Sequence, residues 1–311
     1  MPPPSISIVI TTRNRRDELY RALNSCFSQV GVSYEVLVYD DASDDGTDSM
    51  VQEKFPECLL IRSSEREGLI VRRNQSFRDA KGDIVLSLDD DAYFTDPETL
   101  TQVCQHFAEE PKTAAWALKY FEPAKDAKMP DLVSGTLIKS YTGCAHALRR
   151  QVAEELGGYP AFLVHQGEER DLCIRLMEHG WDIRFADTRP IVHLCSPYRE
   201  NWRMFYYGYR NLVLFNWMRT PLRFLFPRLL IDIGQLIVYR FQLKTIPSKF
   251  WCIGAGFLNI LRYWGERQPV SVETYRKFRQ LPGHGPSAQP DGVTPGPCFT
   301  SSNAVKLTSN T

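Results

Sequence analysis

The chain has 311 residues, which is long enough for one large domain or for a domain with an appendage. It carries 37 Lys plus Arg and 37 Asp plus Glu, so its formal net charge is zero and no overall positive field indicates nucleic acid binding. Its eight cysteines include no Cys-x-x-Cys pair, which predicts reduced thiols in a cytoplasmic protein and neither a disulfide framework nor a zinc site. The sequence predicts neither a secretion signal nor a membrane-spanning segment.

The first 120 residues alternate between predicted strands and predicted helices. Asn14 is the predicted cap of the first helix, whose apolar stripe runs from Leu19 to Val30. The alternation predicts an α/β fold with a doubly wound, mostly parallel sheet. The predicted strands are 5–10, 34–39, 58–62, 83–88 and 113–120, and the later helices are 47–54, 69–80 and 97–108.

The second half of the chain is less regular. The predicted elements are helices over 146–157 and 168–179 and strands over 182–187 and 189–194. The chain is then predicted to be helical from about residue 200 to 264, and from residue 282 it is rich in Pro, Gly and Ser. We expect three segments, namely an α/β domain over 1–198, a C-terminal helical region over 199–281 and a disordered tail over 282–311.

Three adjacent carboxylates, Asp89 to Asp91, follow the fourth predicted strand. Adjacent carboxylates repel one another, so they belong either to a solvated turn or beside a cation. Polar clusters also follow the first and second strands, and ligands bind such sheets beyond the carboxyl ends of the strands. The two common Gly-rich phosphate-binding motifs, G-x-G-x-x-G after the first strand and G-x-x-x-x-G-K-[ST], are absent. A phosphorylated ligand here would therefore need a divalent metal, which carboxylate and phosphate oxygens can both bind.

Six segments of the chain, in order and at family-like spacing, resemble the inverting glycosyltransferases of family 2. They are SIVITTRNR, YEVLVYDDASDDGT, GLIVRRN, GDIVLSLDDDA, ALRRQVAEELGGY and GEERDLCIRLMEHGW. The resemblance covers residues 5 to 195. It implies the GT-A fold, a nucleotide-diphosphate sugar as donor, and inversion at the anomeric carbon.

The resemblance assigns the donor nucleotide to the ends of the first two strands and to the third helix. Thr11 and Arg13 match the family's nucleotide loop, and Asp41, with Asp40 beside it, matches an acid that contacts a pyrimidine base. Arg73 matches an arginine that helps to hold the nucleotide. Each also has a plain structural explanation: a strand–helix turn for the first pair, a capped turn for the acids and a solvated helix residue for the arginine.

The same resemblance makes the aspartate triplet a metal–diphosphate site. Asp89 and Asp91 match the DxD signature that coordinates Mg²⁺ or Mn²⁺ on the diphosphate, and Asp89 and Asp90 would lie against the donor. His193 matches a histidine that approaches the metal or the diphosphate in some relatives. A solvated acidic turn and a structural histidine are the alternatives.

Glu169 falls where the resemblance implies the catalytic base, which in the family is usually an aspartate that follows a glutamate. Here the pair is Glu168-Glu169, so either Glu169 takes the acceptor proton or Glu168 shares the role. The first turn of the predicted helix favours an ionised carboxylate. The same preference explains acids that stand at helix starts only for stability.

The implied function is transfer of a sugar from a UDP- or dTDP-linked donor to a hydroxyl of a glycan or lipid-linked acceptor, in polysaccharide or cell-envelope biosynthesis. A nucleotidyltransferase of related fold is one alternative, although the first loop lacks the glycines that such enzymes usually carry. An inactive sugar-nucleotide-binding or membrane-associated scaffold is another, and the departure at residue 169 is its support.

Residues 198–264 combine many aromatic side chains with arginines. That composition is typical of an interfacial amphipathic segment, which would give peripheral contact with the inner face of a membrane without spanning it. The alternative is a set of helices that packs on the catalytic domain.

Overall fold

The computed structural model describes residues 5–123, 132–194, 201–239 and 242–284. Within these ranges the strands are β1 (Ile6–Thr12), β2 (Tyr34–Asp40), β3 (Leu59–Arg62), β4 (Ile84–Leu88), β5 (Ala92–Tyr93), β6 (Thr113–Phe121), β7 (Ala145–Arg149) and β8 (Asp182–His193). The α-helices are α1 (Arg16–Phe27), α2 (Thr47–Lys54), α3 (Leu69–Asp79), α4 (Thr99–Glu109), α5 (Arg150–Glu155), α6 (Glu168–Glu178), α7 (Asn201–Arg219), α8 (Leu222–Val238), α9 (Ile246–Arg262) and α10 (Val272–Gln280).

The strands of the described ranges form one mixed sheet in the order β3-β2-β1-β4-β7-β6-β8-β5. β1 pairs in parallel with β2 and β4, β2 with β3, and β6 with β8. β7 lies antiparallel between β4 and β6, and the short β5 runs antiparallel to the end of β8. The predicted α/β class with a mostly parallel sheet is confirmed, and β7 is where the strand direction reverses.

The sheet separates two apolar clusters, and successive residues of β1 alternate between them. Val9 packs into one cluster, while Ile8 and Ile10 pack into the other. Helices α1, α2 and α4 cover one face, and α3, α6 and α7 cover the opposite face. A strand that is buried on both faces is mostly apolar, which explains the ISIVI of β1. Its one polar residue, Ser7, is buried and donates a hydrogen bond to Glu35 Oε1 at 2.6 Å.

The predicted helix over 146–157 is wrong in its first part. Ala145, Ala147 and Leu148 are buried between β4 and β6 in strand β7, and helix α5 begins only at Arg150. Pairing with two neighbouring strands overrides the local helical preference of these residues. The two strands predicted over 182–187 and 189–194 are likewise one strand, β8, with a register shift along its pairing with β6.

Asn14 does not cap α1, contrary to the prediction. Its φ of 52° is left-handed, and its side-chain Oδ1 accepts a hydrogen bond from the amide of Asp44 at 2.9 Å. Its own amide donates to Ser43 Oγ at 2.9 Å. Asn14 therefore ties the loop after β1 to the loop after β2, and two of the polar clusters come together.

The C-terminal helices share the apolar cluster of the sheet. Leu212 and Leu214 of α7 belong to the same cluster as Leu172 and Ile174 of α6. The boundaries predicted at residues 198 and 281 stay predictions. Of the predicted tail, residues 282–284 pack against the sheet, where His284 is buried beside Tyr120, and residues 285–311 lie outside the described ranges.

No helix in the described ranges combines the length and the apolar character that crossing a membrane requires.

Candidate active site

The carboxyl ends of β1, β2 and β4 meet at one edge of the sheet. β1 pairs with both neighbours in parallel, so the loops that carry Thr11 to Arg15, Asp40 with Asp41, and the Asp89 to Asp91 triplet all leave from that edge. The amide of Asp89 donates to the carbonyl of Cys144 at 3.3 Å, which holds the start of the triplet beside the residue that precedes β7. The structure thus brings the predicted polar clusters into one crevice, as parallel pairing requires.

Asp89, Asp91 and His193 form a cluster that can hold a metal ion, because one ligand atom from each lies within 4.8 Å of the others. His193 is the last residue of β8, and pairing of β8 with β5 sets it beside the triplet. Its Nε2 lies 3.2 Å from Asp91 Oδ1 and 3.7 Å from Asp89 Oδ2. Two converging carboxylates and an imidazole nitrogen suit a divalent cation.

His193 is oriented by Glu122, which the sequence did not single out. Its Nδ1 lies 2.9 Å from Glu122 Oε1, and both side chains are buried. A carboxylate oxygen can only accept, so Nδ1 carries the hydrogen of this bond. In the neutral ring, which is the form that binds metal, the lone pair is then on Nε2, the nitrogen nearer to the two aspartates. No sequence signal indicates this, because Glu122 follows a strand far from the triplet.

Asp90 turns away from the metal cluster. Its Oδ1 accepts from Arg15 Nη1 at 2.6 Å, and its side chain is almost fully buried. Burial raises the pKa of Asp90 to about 6, although Arg15 opposes the shift. Arg13, the predicted donor residue of this loop, is exposed, so Arg15 is the loop arginine that meets the triplet. The donor-binding roles of Arg13 and Asp90 stay predictions.

Arg73 connects the metal cluster to the acidic pair at the start of α6. Its Nη2 lies 3.2 Å from Asp89 Oδ1, its Nη1 lies 3.2 Å from Glu169 Oε1 and 3.6 Å from Glu168 Oε1, and Nη2 donates to the carbonyl of Gly143 at 2.9 Å. Burial alone would lower the pKa of Arg73, but the carboxylates of Asp89 and Glu169 raise it, so the guanidinium stays charged.

Glu168 is buried and Glu169 beside it is partly buried, so the two carboxyl groups compete for ionisation. Burial raises the pKa of Glu168 to about 8, and the neighbouring Glu169 adds to the shift while Arg73 opposes it. Burial also raises the pKa of Glu169, and Arg73 again opposes the shift. Space around the pair is tight, because a Cβ added at Gly143 would lie 2.4 Å from Glu169 Oε1.

Asp41 holds the loop in front of α3. Its two carboxylate oxygens accept from the amides of Glu67 at 2.8 Å and Gly68 at 3.0 Å, and Arg72 Nε lies 3.4 Å away. Asp40 is likewise buried and accepts from the amide of Ser43 at 2.9 Å. These contacts fix the loops around the crevice, and the predicted contact of either acid with a base stays a prediction.

Thr11 stands one residue before the end of β1, and its Oγ1 is buried without a hydrogen-bond partner among the described residues.

Next to the Asp41 loop, an open cavity of about 530 Å³ extends toward α7. Its walls come from the loop before α3, the loop before α6 and the first turns of α7: Arg66, Glu67, Gly68, Val164, Trp202, Arg203, Tyr206 and Tyr207.

A family model agrees with this geometry. The model described as Glycosyl transferase family 2 matches residues 7–157, which include the Asp41 loop, Arg73 and the aspartate triplet. Residues 7–157 are a family 2 glycosyltransferase domain. The predicted family is confirmed, and the acidic pair of α6 and His193 lie beyond the matched residues.

Curated relatives of this glycosyltransferase domain share short segments with it. An uncharacterized glycosyltransferase, YfnE, of Bacillus subtilis is 38% identical over 89 residues, which are 27% of this chain and 22% of YfnE. The glucosyltransferase WfaP of Escherichia coli is 30% identical over 108 residues, 34% of this chain and 42% of WfaP. The chain thus spans less than half the length of these relatives. YwdF of B. subtilis, also an uncharacterized glycosyltransferase, matches over 63% of this chain and 76% of its own length at 26% identity.

Solved glycosyltransferase structures share the fold. The mannosyltransferase PcManGT of Pyrobaculum calidifontis, in complex with GDP-Man and Mn²⁺, superposes with a TM-score of 0.56 at 18% identity, over 89% of this chain and 79% of the other. TarS of S. aureus superposes with a TM-score of 0.58 at 15% identity, over 89% of this chain and 55% of TarS. The predicted GT-A fold is confirmed.

Proposed function

We propose that the protein is a metal-dependent inverting glycosyltransferase. It moves a sugar from a UDP- or dTDP-linked donor to a hydroxyl of a glycan or lipid-linked acceptor, in polysaccharide or cell-envelope biosynthesis. The observation that carries the proposal is the pair of contacts that Arg73 makes. Its guanidinium contacts both Asp89 of the Asp89–Asp91–His193 cluster and Glu169 of the Glu168–Glu169 pair. A site for a diphosphate and a site for a proton acceptor thus stand side by side.

The donor side of the proposal rests on the metal cluster. Asp89, Asp91 and His193 would hold Mg²⁺ or Mn²⁺, which when bound supplies positive charge against the departing nucleoside diphosphate. Arg73 adds a fixed positive charge between that cluster and the acidic pair. The loops held by Asn14 and Asp41 would enclose the nucleotide.

The acceptor side of the proposal rests on Glu169. The acceptor oxygen bonds to the anomeric carbon as the bond from that carbon to the diphosphate oxygen breaks, and the acceptor proton passes to Glu169. Glu168, with its pKa of about 8, holds a proton at neutral pH and leaves Glu169 as the carboxylate beside Arg73. A single displacement of this kind inverts the anomeric carbon.

The relatives support the choice of substrate classes. WfaP is named as a UDP-Glc:alpha-D-GlcNAc-diphosphoundecaprenol beta-1,3-glucosyltransferase, TuaG of B. subtilis is a putative teichuronic acid biosynthesis glycosyltransferase, and TarS has been solved with UDP and with UDP-GlcNAc. Six cysteines in the described ranges are free thiols, which fits action on the cytoplasmic side. Nucleic acid has no place in the proposal, since the net charge is zero.

Donor binding is tested by thermal unfolding with UDP, dTDP, GDP or CDP, each with Mn²⁺, with Mg²⁺ or with EDTA. A ligand at a hundred times its dissociation constant stabilises the fold by about 2.7 kcal/mol, which gives a clear rise in melting temperature. We expect the rise with UDP or dTDP and metal, its loss in Asp91→Asn, and its retention in the exposed control Asp187→Asn. No rise with any nucleotide would refute the proposed donor site.

Catalysis is tested by Glu169→Gln, which removes the proton acceptor and keeps the side-chain size. We expect transfer to fall by about a hundredfold to ten-thousandfold while metal and nucleotide still raise the melting temperature. Unchanged transfer would remove Glu169 from the mechanism. If the wild type binds the donor, transfers no sugar and keeps its biological role, the protein is the scaffold of the alternative hypothesis.

A further inference from the structure

Helix α8 carries an apolar stripe that no described residue covers. Leu222, Phe226, Leu230 and Val238 are 67% to 74% exposed, and with Gly234 they stand at four-residue intervals along one side of the helix. Ile231 beside them is also exposed. Residues four apart are neighbours on a helix surface, each offset by about 40° from the one before, so the stripe crosses the exposed side of α8 from one end of the helix to the other.

Helix α9 repeats the pattern. Trp251, Leu258 and Leu261 are each about 70% exposed and share one side at helical spacing, with Phe250 and Phe257 one residue before the first two. Trp264, also exposed, follows three residues after Leu261, just past the end of the helix. Contiguous exposed patches of this kind mark interaction surfaces, whereas scattered single apolar residues do not.

The opposite sides of both helices are packed on the core. The exposure of the stripes is therefore not due to loose packing of α8 and α9. Cys252, Ile253 and Ile260 of α9 are buried in the apolar cluster that also contains α7. Gly256 lies so close to α7 that a Cβ there would stand 2.7 Å from the Cβ of Val213. Leu225 and Leu236 of α8 are buried in the same way.

The charges around the stripes are one-sided. Residues 222–264 hold six Lys or Arg and a single acid, Asp232, in a chain whose net charge is zero. Asp232 is buried and accepts from Asn216 at 2.7 Å and from Arg228 at 2.8 Å. Buried Lys249 donates to the carbonyls of residues 237 and 239 and so ties α8 to α9.

The exposed charged side chains of the described part of this region are therefore basic: Arg223, Lys244 and Arg262. Arg223 adjoins Leu222, Lys244 follows the exposed Leu243, and Arg262 lies one turn after Leu258. Basic residues beside an apolar stripe complement a surface that presents anionic headgroups above hydrocarbon.

We propose that the outer face of α8 and α9 docks on an anionic lipid surface. The apolar stripes enter the boundary between headgroups and acyl chains, the basic residues meet the headgroups, and the two tryptophans sit at the interface that this side chain prefers. One side of each helix is packed on the protein core, so α8 and α9 would lie on the bilayer surface. α7, which the sequence placed in the same membrane-contacting segment, is mostly buried and takes no direct part.

A second copy of this chain fits the face less well. A symmetric contact would bring the Arg223, Lys244 and Arg262 side chains of two copies toward one another, and like charges at an interface are unfavourable. For the transferase, docking on lipid selects an acceptor that is itself lipid-linked. That last step rests on the proposed function, while the docking does not.

The test is flotation of the full chain with vesicles of phosphatidylcholine alone or mixed with phosphatidylglycerol. We expect binding to the anionic vesicles, weaker binding at high salt, and little binding to the neutral ones. Leu230→Gln and Leu258→Gln should each lower the partition coefficient by about tenfold, because each removes one inserted apolar side chain. The matched control is Leu59→Gln, which alters a 48% exposed leucine on the edge strand β3.

Three results would overturn the proposal. One is that Leu59→Gln and Leu230→Gln bind vesicles equally well. Another is that the full chain does not bind vesicles and forms a dimer that Leu230→Gln dissociates. Size-exclusion chromatography with light scattering would detect that dimer. The third is that only a chain ending at His284 binds, since residues 285–311 would then cover the face. Glu169→Gln should bind vesicles like the wild type, so failure of docking and failure of catalysis are distinguishable.

Discussion

Glu168 and Glu169 lie side by side where burial disfavours the ionised form of both. Burial raises the pKa of both, that of Glu168 to about 8, and Arg73 lies closer to Glu169 than to Glu168. The helix start favours ionisation of Glu169, as the sequence suggested, but burial works against it. In the proposed mechanism Arg73 therefore favours Glu169 as the base, and the longer glutamate in place of the usual aspartate would keep the same proton chemistry.

The Glu168 proton makes stability depend on pH. The folded protein releases it at a pKa of about 8, whereas the unfolded chain releases it at the ordinary 4.5, so the folded state binds more protons between these values. The free energy of unfolding therefore falls as pH rises through this window, by at most about 1.4 kcal/mol per pH unit for one proton. Glu168→Gln removes this slope.

We expect Glu168→Gln to raise the melting temperature relative to the wild type at pH 8 and to change it little at pH 5. Melting curves of both proteins between pH 5 and pH 8.5 measure the difference, with the exposed Glu155→Gln as control. Parallel pH dependence in the wild type and Glu168→Gln would contradict a raised pKa of Glu168.

Glu122 should act on metal affinity through His193. Carboxylates that orient a ligand histidine typically contribute tenfold to a hundredfold in affinity. We expect Glu122→Leu to weaken Mn²⁺ binding by about that factor in the absence of nucleotide, and Glu122→Gln, which can still accept from Nδ1, to restore part of it. Isothermal titration with Mn²⁺ measures both, and exposed Glu109→Gln is the control. Equal affinity in the wild type and Glu122→Leu would exclude the orienting role.

At the scale of elements, α7 holds the loop that leads into α6 and its acidic pair. The side-chain amide of buried Asn211 donates to the carbonyls of Leu163, His165 and Gln166 at 2.9, 2.8 and 2.7 Å. Three carbonyl acceptors require the NH₂ group there, which settles the orientation of the amide. This loop is strained, since Val164 and Gln166 have positive φ and strained backbone persists only where its surroundings enforce it.

Helix α7 also contacts α6 directly, through a salt bridge from Arg219 to Asp171. Arg219 contacts both carboxylate oxygens of buried Asp171, at 2.7 and 3.2 Å, and Arg175 adds a contact at 2.8 Å. These arginines outweigh burial and lower the pKa of Asp171, so the network stays ionised. Helix α7 thus fixes the approach to Glu168 and the helix that bears it.

Asn211→Ala should therefore misplace the base and leave the donor site intact. We expect a fall in kcat of about tenfold to a hundredfold at unchanged nucleotide- and metal-induced stabilisation, because positioning errors near 1 Å have effects of this size. Hydrogen exchange over residues 161–167 should increase in parallel. The control is Asn259→Ala, whose amide bonds only within its own helix. A loss of donor binding equal to the loss of kcat would indicate general damage to the fold instead.

At the scale of the whole molecule, the helical region and the sheet share one apolar core. Residues of α6 and α7 share one apolar cluster, and the network around Asp171 crosses the boundary predicted at residue 198. Residues 1–198 alone would expose that cluster and leave Asp171 without Arg219.

We expect the full chain to unfold in one transition and the fragment 1–198 to lack a cooperative one. Circular dichroism and calorimetry of both chains measure this, with a chain ending at His284 as the control for loss of the tail. A fragment 1–198 with native-like ellipticity and a sharp melt would support the predicted domain boundary.

The sequence by itself determined the features that depend on short stretches of chain. Strand–helix alternation predicted the α/β sheet. The mostly apolar segments of β1 and β4 indicated strands that are buried on both faces. The ends of parallel strands meet at one edge, so the position of Asp89 to Asp91 after β4 was enough to predict a shared crevice. The ordered series of family segments carried the family and the GT-A fold.

Only the tertiary structure decided which side chains meet. Arg73 and Glu169 are 96 residues apart in the chain, and no local pattern tells that one guanidinium spans from the triplet to the acidic pair. Arg15, which the sequence did not single out, contacts Asp90 of the triplet although 75 residues separate the two in the chain. β7 is a strand because two neighbours bury it, and the stripes of α8 and α9 became visible once their opposite sides were seen to pack on the core. Pairing between distant segments is set by the packing of the whole chain, and local periodicity does not record it.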